Sequence, residues 1–362
     1  MKITDVKAHI LAIPLKRDEL PTQWVWGAFN QITVEVRTDE GVTGYGEAYG
    51  YGVPHATAAV VDEVLKPMLQ GEDPAQIASL LDRMYRQTHL FGRYGITTFA
   101  ISGIDIALWD IAGKSAGLPL YRLLGGASAS RVPAYASLVR YPEPKQVRTA
   151  ALRAKEAGYT AVKLHQLDVE SLRAAREAVG DEIHLMMDIN CAWAPEQALD
   201  MARQFAPYTL YWLEEPLWPP EDFVGLAQLG QVSGTPIATG ENACTAHQFR
   251  AMLEAGAATF IQPSVVKVGG ISEWRKVAAL AEAYNVTIAP HSPYFGPGLL
   301  ATAHLAASTP RAELLEHLYV TLEASVFKDS PRLEQGYFLI PQGPGLGLEI
   351  DSDVLARYRV AP

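Results

Sequence analysis

The chain has 362 residues, 49% apolar and 19% charged, with 40 Asp and Glu against 30 Lys and Arg for a formal net charge of −10. This much apolar content is ample for a sizeable core and excludes disorder, and the length suits two domains or one large barrel with an attachment. The acidic balance, with no Lys/Arg run, excludes a nucleic-acid footprint, and two cysteines, Cys191 and Cys244, exclude a disulfide scaffold or Cys-rich zinc module.

The N-terminal stretch MKITDVKAHILAIPLKRD is broken by Asp5, Lys7 and Pro14, so it does not read as a signal peptide. No apolar run reaches the roughly 18 residues of a membrane helix. A soluble protein of a reducing compartment, most simply the cytoplasm, is expected. The first 120 or so residues read as β followed by α. Ile3 to Pro14 and Gln31 to Arg37 alternate or run β-branched, and GVTGYGEAYGYG (41–52) reads as glycine-rich turn chemistry. Between the first strands, PTQWVWGAFNQ (21–31) is predicted as a loop carrying Trp24, Trp26 and Phe29. The pattern turns helical from Thr57 to Asp110. The segment around Ile101 to Ile111 is apolar nearly all round and hence predicted to be buried on most sides, with Gly113 and Gly117 as its exit.

From about residue 130, short β-type runs alternate with helical stretches. The runs are VPAYAS, TAVKLH, IHLMMDIN, LYWLEEP, PIATGEN, FIQPSV, TIAPHS and LLEHLY, and their ends near 137, 163, 188, 214, 241, 264, 291 and 316 recur every 23 to 27 residues. Eight βα units of near-constant length predict a parallel barrel rather than an open doubly wound sheet, and no dinucleotide glycine fingerprint follows the first strand. The expected architecture is α/β, a modified TIM barrel of (β/α)7β type with an N-terminal α+β capping domain. The expected division is 1–125 for the capping domain and 126–320 for the barrel. Residues 321–362 form a C-terminal segment whose strand and Gly/Pro loop (338–351) pack back on the capping domain.

Chemistry in such a barrel sits at the C-terminal strand ends. Those ends carry Ser137; Lys163 and His165; Asp188 and Asn190; Glu214; Glu241 and Asn242; Ser264; His291; and Glu316. Isolated charges in apolar surroundings cost several kcal/mol unless paired or metal-bound. Asp188, Glu214 and Glu241 on three consecutive strands, without a Cys or His cluster, point to a hard cation, Mg2+ first and Mn2+ second. The bland alternative is pairing with Lys or Arg across the barrel. Lys163 and His165 share one face of the second strand, and His291 lies across the barrel. With a carboxylate metal site, these bases suggest proton transfer on two faces of one carbon, with the metal stabilising the ene-diolate of a carboxylate substrate.

The segments SGIDIALWDIAGKSAGLPLYRLLGG (102–126), VKLHQ, MDIN, WLEEP, GEN, VKVGG, PHSPYFGPG and PQGPGLGLEID, in this order and spacing, resemble the mandelate racemase-like group of the enolase superfamily over essentially the whole chain. That superfamily uses a Lys or His base with Mg2+ holding an ene-diolate. The resemblance implies capping loops that close over the barrel mouth, with Trp24 and Trp26 shaping the substrate pocket together with Tyr49 and His55. It further implies Asp188, Glu214 and Glu241 as metal ligands, with Glu215 in support. Lys163 is placed near the substrate carboxylate, His165 as base and His291 as the opposite-face acid/base. Ser137, Asn190 and Glu316 become substrate contacts, Lys267 a structural residue, and the protein a homo-oligomer, often an octamer or else a dimer. Two departures stand out. The second strand has Lys-x-His where the family has Lys-x-Lys. Ser264 replaces the Asp of a His-Asp dyad, leaving a hydroxyl to accept from the His291 ring.

These features predict a Mg2+-dependent lyase that dehydrates a sugar acid, an aldonate or aldarate. Elimination tolerates unequal catalysts on the two faces, whereas racemisation needs both poised alike. A racemase, epimerase or lactone cycloisomerase of the same intermediate is the alternative, and a non-catalytic ligand-binding barrel the third reading. The partner is a small-molecule carboxylate, with neither nucleic acid nor membrane.

Overall fold

The computed structural model describes residues 1–16, 28–126 and 130–360. Two long strands, β1 (Ile3–Pro14) and β2 (Ala28–Thr38), pair antiparallel, and β3 (Thr43–Ala48) adds to the free edge of β2. Phe29 therefore opens a strand, opposite Ile13, rather than lying in the expected loop. The glycine-rich stretch after residue 41 also departs from expectation, since half of it is strand. A helix crosses β3 so closely that a Cβ on Gly46 would stand 1.9 Å from the Gly103 carbonyl oxygen, and one on Gly44 2.2 Å from that of Ala107. Glycine is needed there for close approach, not for a turn.

Helical turns fill Pro54–Leu69, with a π-helical stretch at Val60–Leu65. Two full helices follow, α1 (Ile77–Gln87) and α2 (Ile96–Ala116). Gly117 ends α2 in the left-handed region (φ 66), whereas Gly113 lies inside the helix, its bare face covered by the Gly345 backbone. By length and composition α2 is apolar enough to cross a membrane, although Asp105 and Asp110 keep it from being one unbroken apolar run. Yet 78% of the relevant window is buried within the fold. Both acids are spoken for: Asp105 accepts from the Ser272 amide and hydroxyl, and Asp110 from the Tyr45 and Leu346 amides. This is a core helix between sheet and barrel.

The barrel strands are β4 (Arg131–Ser137), β5 (Ala161–Leu164), β6 (His184–Asp188), β7 (Leu213–Glu214), β8 (Ile237–Thr239), β9 (Phe260–Ile261), β10 (Thr287–Ile288) and β11 (Leu315–Leu318). All eight are parallel in sequence order. β11 returns to β4, and an Ile288–Ala312 bridge joins the ends. Seven helices alternate with them: α3 (Pro144–Glu156), α4 (Val169–Val179), α5 (Pro195–Phe205), α6 (Phe223–Ser233), α7 (Thr245–Glu254), α8 (Gly270–Tyr284) and α9 (Pro297–Ser308). This is the (β/α)7β arrangement. The main core lies between the strands' outer faces and these helices. Inside, Tyr135, Ala161, Met186, Trp212, Ala238, Phe260, Ala289 and Leu314 form a buried apolar floor. Two residues further along every strand, on the same face by the period of two, come Ser137, Lys163, Asp188, Glu214, Gly240, Gln262, His291 and Glu316.

The C-terminal segment divides its contacts. β12 (Leu333–Glu334) and β13 (Tyr337–Leu339) form a hairpin that pairs with Arg131–Pro133 of β4, so the strand expected on the capping domain sits on the barrel. The reason is length: β5 pairs only with Ala136 and Ser137, which leaves the start of β4 an open edge. The loop that follows does reach the N-terminal region. Leu346 donates to Asp110, and Val360 to the Ile10 carbonyl.

Candidate active site

The C-terminal ends of the barrel strands open into a cavity of about 800 Å³, closed on the far side by Phe29, Asn30, Tyr49 and Tyr51 of the first domain. The parallel register sets Asp188 beside Glu214, and Glu241 follows two residues after β8. One carboxylate oxygen from each of the three lies within 4.8 Å of the others.

Lys163 rises beneath them, fully buried, its Nζ 2.5 Å from Glu214 Oε1, 2.9 Å from Glu316 Oε1 and 3.3 Å from Asp188 Oδ2. Burial works against the ammonium, but Glu214, Glu316 and Asp188 overcome it and hold Lys163 well above the ordinary lysine range. Pairing across the barrel is thus realised for Asp188, Glu214 and Glu316 by Lys163, one cation against three carboxylates. Burial pushes Glu214 well above the usual carboxylate range, and repulsion from Asp188, Glu316 and Glu241 adds to what Lys163 fails to cancel. A second cation among the three oxygens would relieve that repulsion. All three donors are hard carboxylates, so the residues fit Mg2+ or Mn2+.

Burial likewise opposes ionisation of Asp188, yet Lys163 and His165 hold its carboxyl far below normal. Desolvation also opposes ionisation of Glu241, which is only half-buried at the cavity, yet His291 and Lys267 hold it down to about 2. Asn190, in the left-handed region (φ 49), turns both its amide and its Nδ2 onto Asp188 Oδ1, at 2.9 and 3.0 Å, and so fixes that carboxylate's orientation. Glu316 accepts from the Ser292 amide at 2.9 Å, and its charge is kept despite burial by Lys163 and His291, with Ser137 assisting. Glu215 turns away from the cavity to accept from the Gly240 amide, and burial, then Glu241, pushes it up to about 7.

His165 and Lys163 leave the same strand but reach different places. His165 Nδ1 is 2.5 Å from the Leu138 carbonyl, and Nε2 is 3.1 Å from Asp188 Oδ2. A carbonyl only accepts, so Nδ1 carries a hydrogen and Nε2 is the atom that gains or loses a proton. His165 lines the cavity, whereas Lys163 is sealed below it. Across the mouth, His291 Nε2 lies 3.1 Å from Glu241 Oε2. The opposite ring nitrogen does not meet Ser264, as the sequence had suggested. The Tyr294 hydroxyl stands between, 3.3 Å from His291 Nδ1 and in hydrogen-bond contact with Ser264 Oγ, because the loop after β10 folds the tyrosine back under the histidine.

Ser137, His165, Asp188, Asn190, Glu241, His291 and Glu316 all line the cavity. Trp24 and Trp26 lie outside the described residues. Tyr49 lines the cavity, whereas His55 is not among its lining residues and is exposed at the start of the Pro54 helical segment. Lys267 donates to Asn242 Oδ1 and sits 5.0 Å from the Tyr49 ring centre. Sequence reasoning missed two residues. Tyr294 lies within PHSPYFGPG, three positions after His291, and that spacing was its only signal. Arg140, just past β4, lines the cavity with Nε on the His165 carbonyl at 2.7 Å, and nothing in its sequence neighbourhood distinguishes it.

Family models agree with this geometry. Residues 10–125 match the mandelate racemase/muconate lactonizing enzyme N-terminal domain, and 146–354 the enolase C-terminal domain-like family. The chain is 35% identical to an arabinonate dehydratase of Saccharolobus solfataricus, covering 91% of this chain and 90% of the relative. It is 37% identical to a 3,6-anhydro-alpha-L-galactonate cycloisomerase of Streptomyces coelicolor, over 99% of both. A crystal structure of a racemase from Streptomyces coelicolor A3(2) with bound magnesium superposes with a TM-score of 0.87 at 34% identity, covering 99% of this chain and all of that one. The protein is an enzyme of the enolase superfamily, a member of its mandelate racemase/muconate lactonizing enzyme family.

Proposed function

We propose that this enzyme dehydrates a sugar acid, an aldonate or aldarate, by removing the proton α to the carboxylate and expelling the β-hydroxyl as water. The observation that carries this reading is the placement of two imidazoles at opposite ends of one carboxylate triad, His165 on Asp188 and His291 on Glu241. Asp188, Glu214 and Glu241 would hold Mg2+, which when bound supplies Lewis-acid stabilisation to the substrate carboxylate. Lys163 adds a fixed positive charge beneath that carboxylate, and Glu316 keeps the lysine oriented. His165 Nε2 takes the α-proton, since its Nδ1 is already committed to the Leu138 carbonyl. His291 Nε2 delivers a proton to the departing oxygen as the C–O bond breaks. The enol product then tautomerises to the 3-deoxy-2-keto acid. Arg140 presents its remaining guanidinium N–H groups to substrate hydroxyls.

One observation favours a second reading within the same chemistry. Leu15, Phe29, Val139, Tyr141, Pro142 and Leu318 make much of the cavity wall apolar. Such a wall suits a ring-closed anhydro sugar acid or lactone, whose β-oxygen is a ring atom, and the same elimination would open that ring. The experiment is incubation with Mg2+ and a panel of aldonic, aldaric and anhydro-sugar acids in D2O. A 2-keto-3-deoxy acid from an open-chain substrate is the expected result, and product from the anhydro acids alone selects the second reading. Deuterium at the α-carbon without elimination would instead indicate a racemase or epimerase. No reaction across a broad panel would leave a binding protein.

A further inference from the structure

We propose that Tyr294, clamped by Ser264, is the positioning residue for His291, a neutral hydroxyl pair standing where a carboxylate would otherwise orient the imidazole. The inference rests on the reading of His291 as proton donor. Tyr294 is 4% exposed and Ser264 fully buried, and the tyrosine Oη touches both Ser264 Oγ and His291 Nδ1. Among the described residues Ser264 Oγ has no other hydrogen-bond partner, so this serine serves the tyrosine alone. The loop carrying both rings is pinned as well. Tyr294 donates its amide to the Ser292 carbonyl, while the Ser292 amide and hydroxyl bond Glu316 Oε2 and the Glu316 carbonyl of β11. The tyrosine and histidine rings meet edge-on, at 82°. His291 Nε2 is thereby aimed at Glu241 and the cavity.

The chemical consequence follows from what a hydroxyl can do. A carboxylate only accepts, so it keeps a hydrogen on Nδ1 and strengthens Nε2 as a base. A tyrosine hydroxyl also accepts from Nδ1–H before and after Nε2 gives up its proton, but being neutral it does not strengthen Nε2 as a base in the way a carboxylate would. In the elimination, the imidazolium passes its Nε2 hydrogen to the β-oxygen as the C–O bond electrons leave with that oxygen. The ring ends neutral, with Nδ1–H still on Tyr294 Oη, and the α-proton rests on His165. Both histidines then return to equilibrium with solvent, so protons balance without a further reactant. This arrangement makes His291 the donor and His165 the acceptor.

The test uses the Mg2+-loaded enzyme and variants Y294F and S264A. For Y294F, kcat is expected to fall about tenfold or more with KM within about twofold, and for S264A less, because one hydrogen bond is lost and the other loosened. In D2O, α-deuterium in recovered substrate relative to keto-acid product should rise in both variants, because the His165 side still works. Unchanged kcat in Y294F, or exchange and elimination falling in equal proportion, would overturn the proposal. A second measurement needs no substrate and so stands apart from the dehydratase reading. In protein labelled with 15N-histidine, the His291 ring signals, identified by their loss in H291N, should shift in Y294F and S264A. Signals that stay in place in both variants would also overturn it.

Discussion

Two layers inside the barrel, one residue pair apart on the same eight strands, have opposite characters. The floor of Tyr135, Ala161, Met186, Trp212, Ala238, Phe260, Ala289 and Leu314 is closed and apolar. The layer above it carries Lys163, Asp188, Glu214, His291 and Glu316, every one of them buried. The floor is held by dispersion and burial, which tolerate any side chain of suitable shape and volume. The mouth is held by polar and charged groups, the deepest of them sealed and others lining the cavity, and each is met by another: Lys163 on three acids, His165 on Asp188, His291 on Glu241. The difference teaches that a charged layer needs a dry floor. Trp212 joins the two, meeting the Tyr135 ring edge-on in the floor while its Nε1 donates to Glu214 Oε2 at 2.8 Å.

The sharpest break in this comparison should come from Glu214→Gln. Removing one carboxylate is expected to lower turnover by about a thousandfold or more while the folded state survives. Mn2+ binding followed by electron paramagnetic resonance would weaken alongside, and a fully active variant would remove the metal assignment. Next in size, His165→Asn should abolish α-deuterium exchange and elimination together, by about 10²- to 10⁴-fold, with metal binding intact. Should exchange persist, Lys163 would be the base. In the floor, Met186→Ala is expected to do the reverse. Urea unfolding should show a loss of about 2–5 kcal/mol from the cavity left, while activity per folded molecule stays within a few-fold.

The smallest effect concerns a buried titratable group outside both layers. His304 on α9 accepts from the Tyr121 amide and faces the Leu346 carbonyl. No carboxylate among the described residues pairs with it, and burial lowers its pKa to about 4 against the opposing pull of the Leu346 carbonyl. Between pH 6.5 and 4 the unfolded chain therefore binds a proton that the folded one refuses. Its contribution is complete above pH 6.5 and declines as pH falls through that window, by about 2 kcal/mol at pH 5. Urea midpoints at pH 7.5 and 5, with His304→Gln flattening the difference, would measure it.

Much of this was legible in the chain itself. The even spacing of β-type runs predicted eight parallel strands, and acids in otherwise Val, Ile, Leu and Met surroundings marked Asp188, Glu214 and Glu241, which the register then brought within 4.8 Å. The glycines of 41–52 were read as turns because sequence shows only that a side chain is missing, not that a helix backbone at Gly44 and Gly46 forbids one. Helix α2 has the length and composition of a membrane span, and only its burial against sheet and barrel, a tertiary fact, makes it a core helix. The resemblance placed His55 at the pocket, yet it is exposed and not among the residues that line the cavity.

By itself the sequence determined periodicity and residue type: which positions share a strand face, and which of them carry charge. Those follow from local backbone geometry, where a period of two places Lys163 and His165, or Met186 and Asp188, on one side. Only the tertiary structure decided which nitrogen of each histidine faces the cavity, that Lys163 lies sealed while His165 is open, and that Tyr294 comes between Ser264 and His291. Hydrogen bonds act over about 3 Å and depend on direction. Such contacts form between residues from different strands and loops, whose separation is set by the closing of the barrel and not by their distance along the chain.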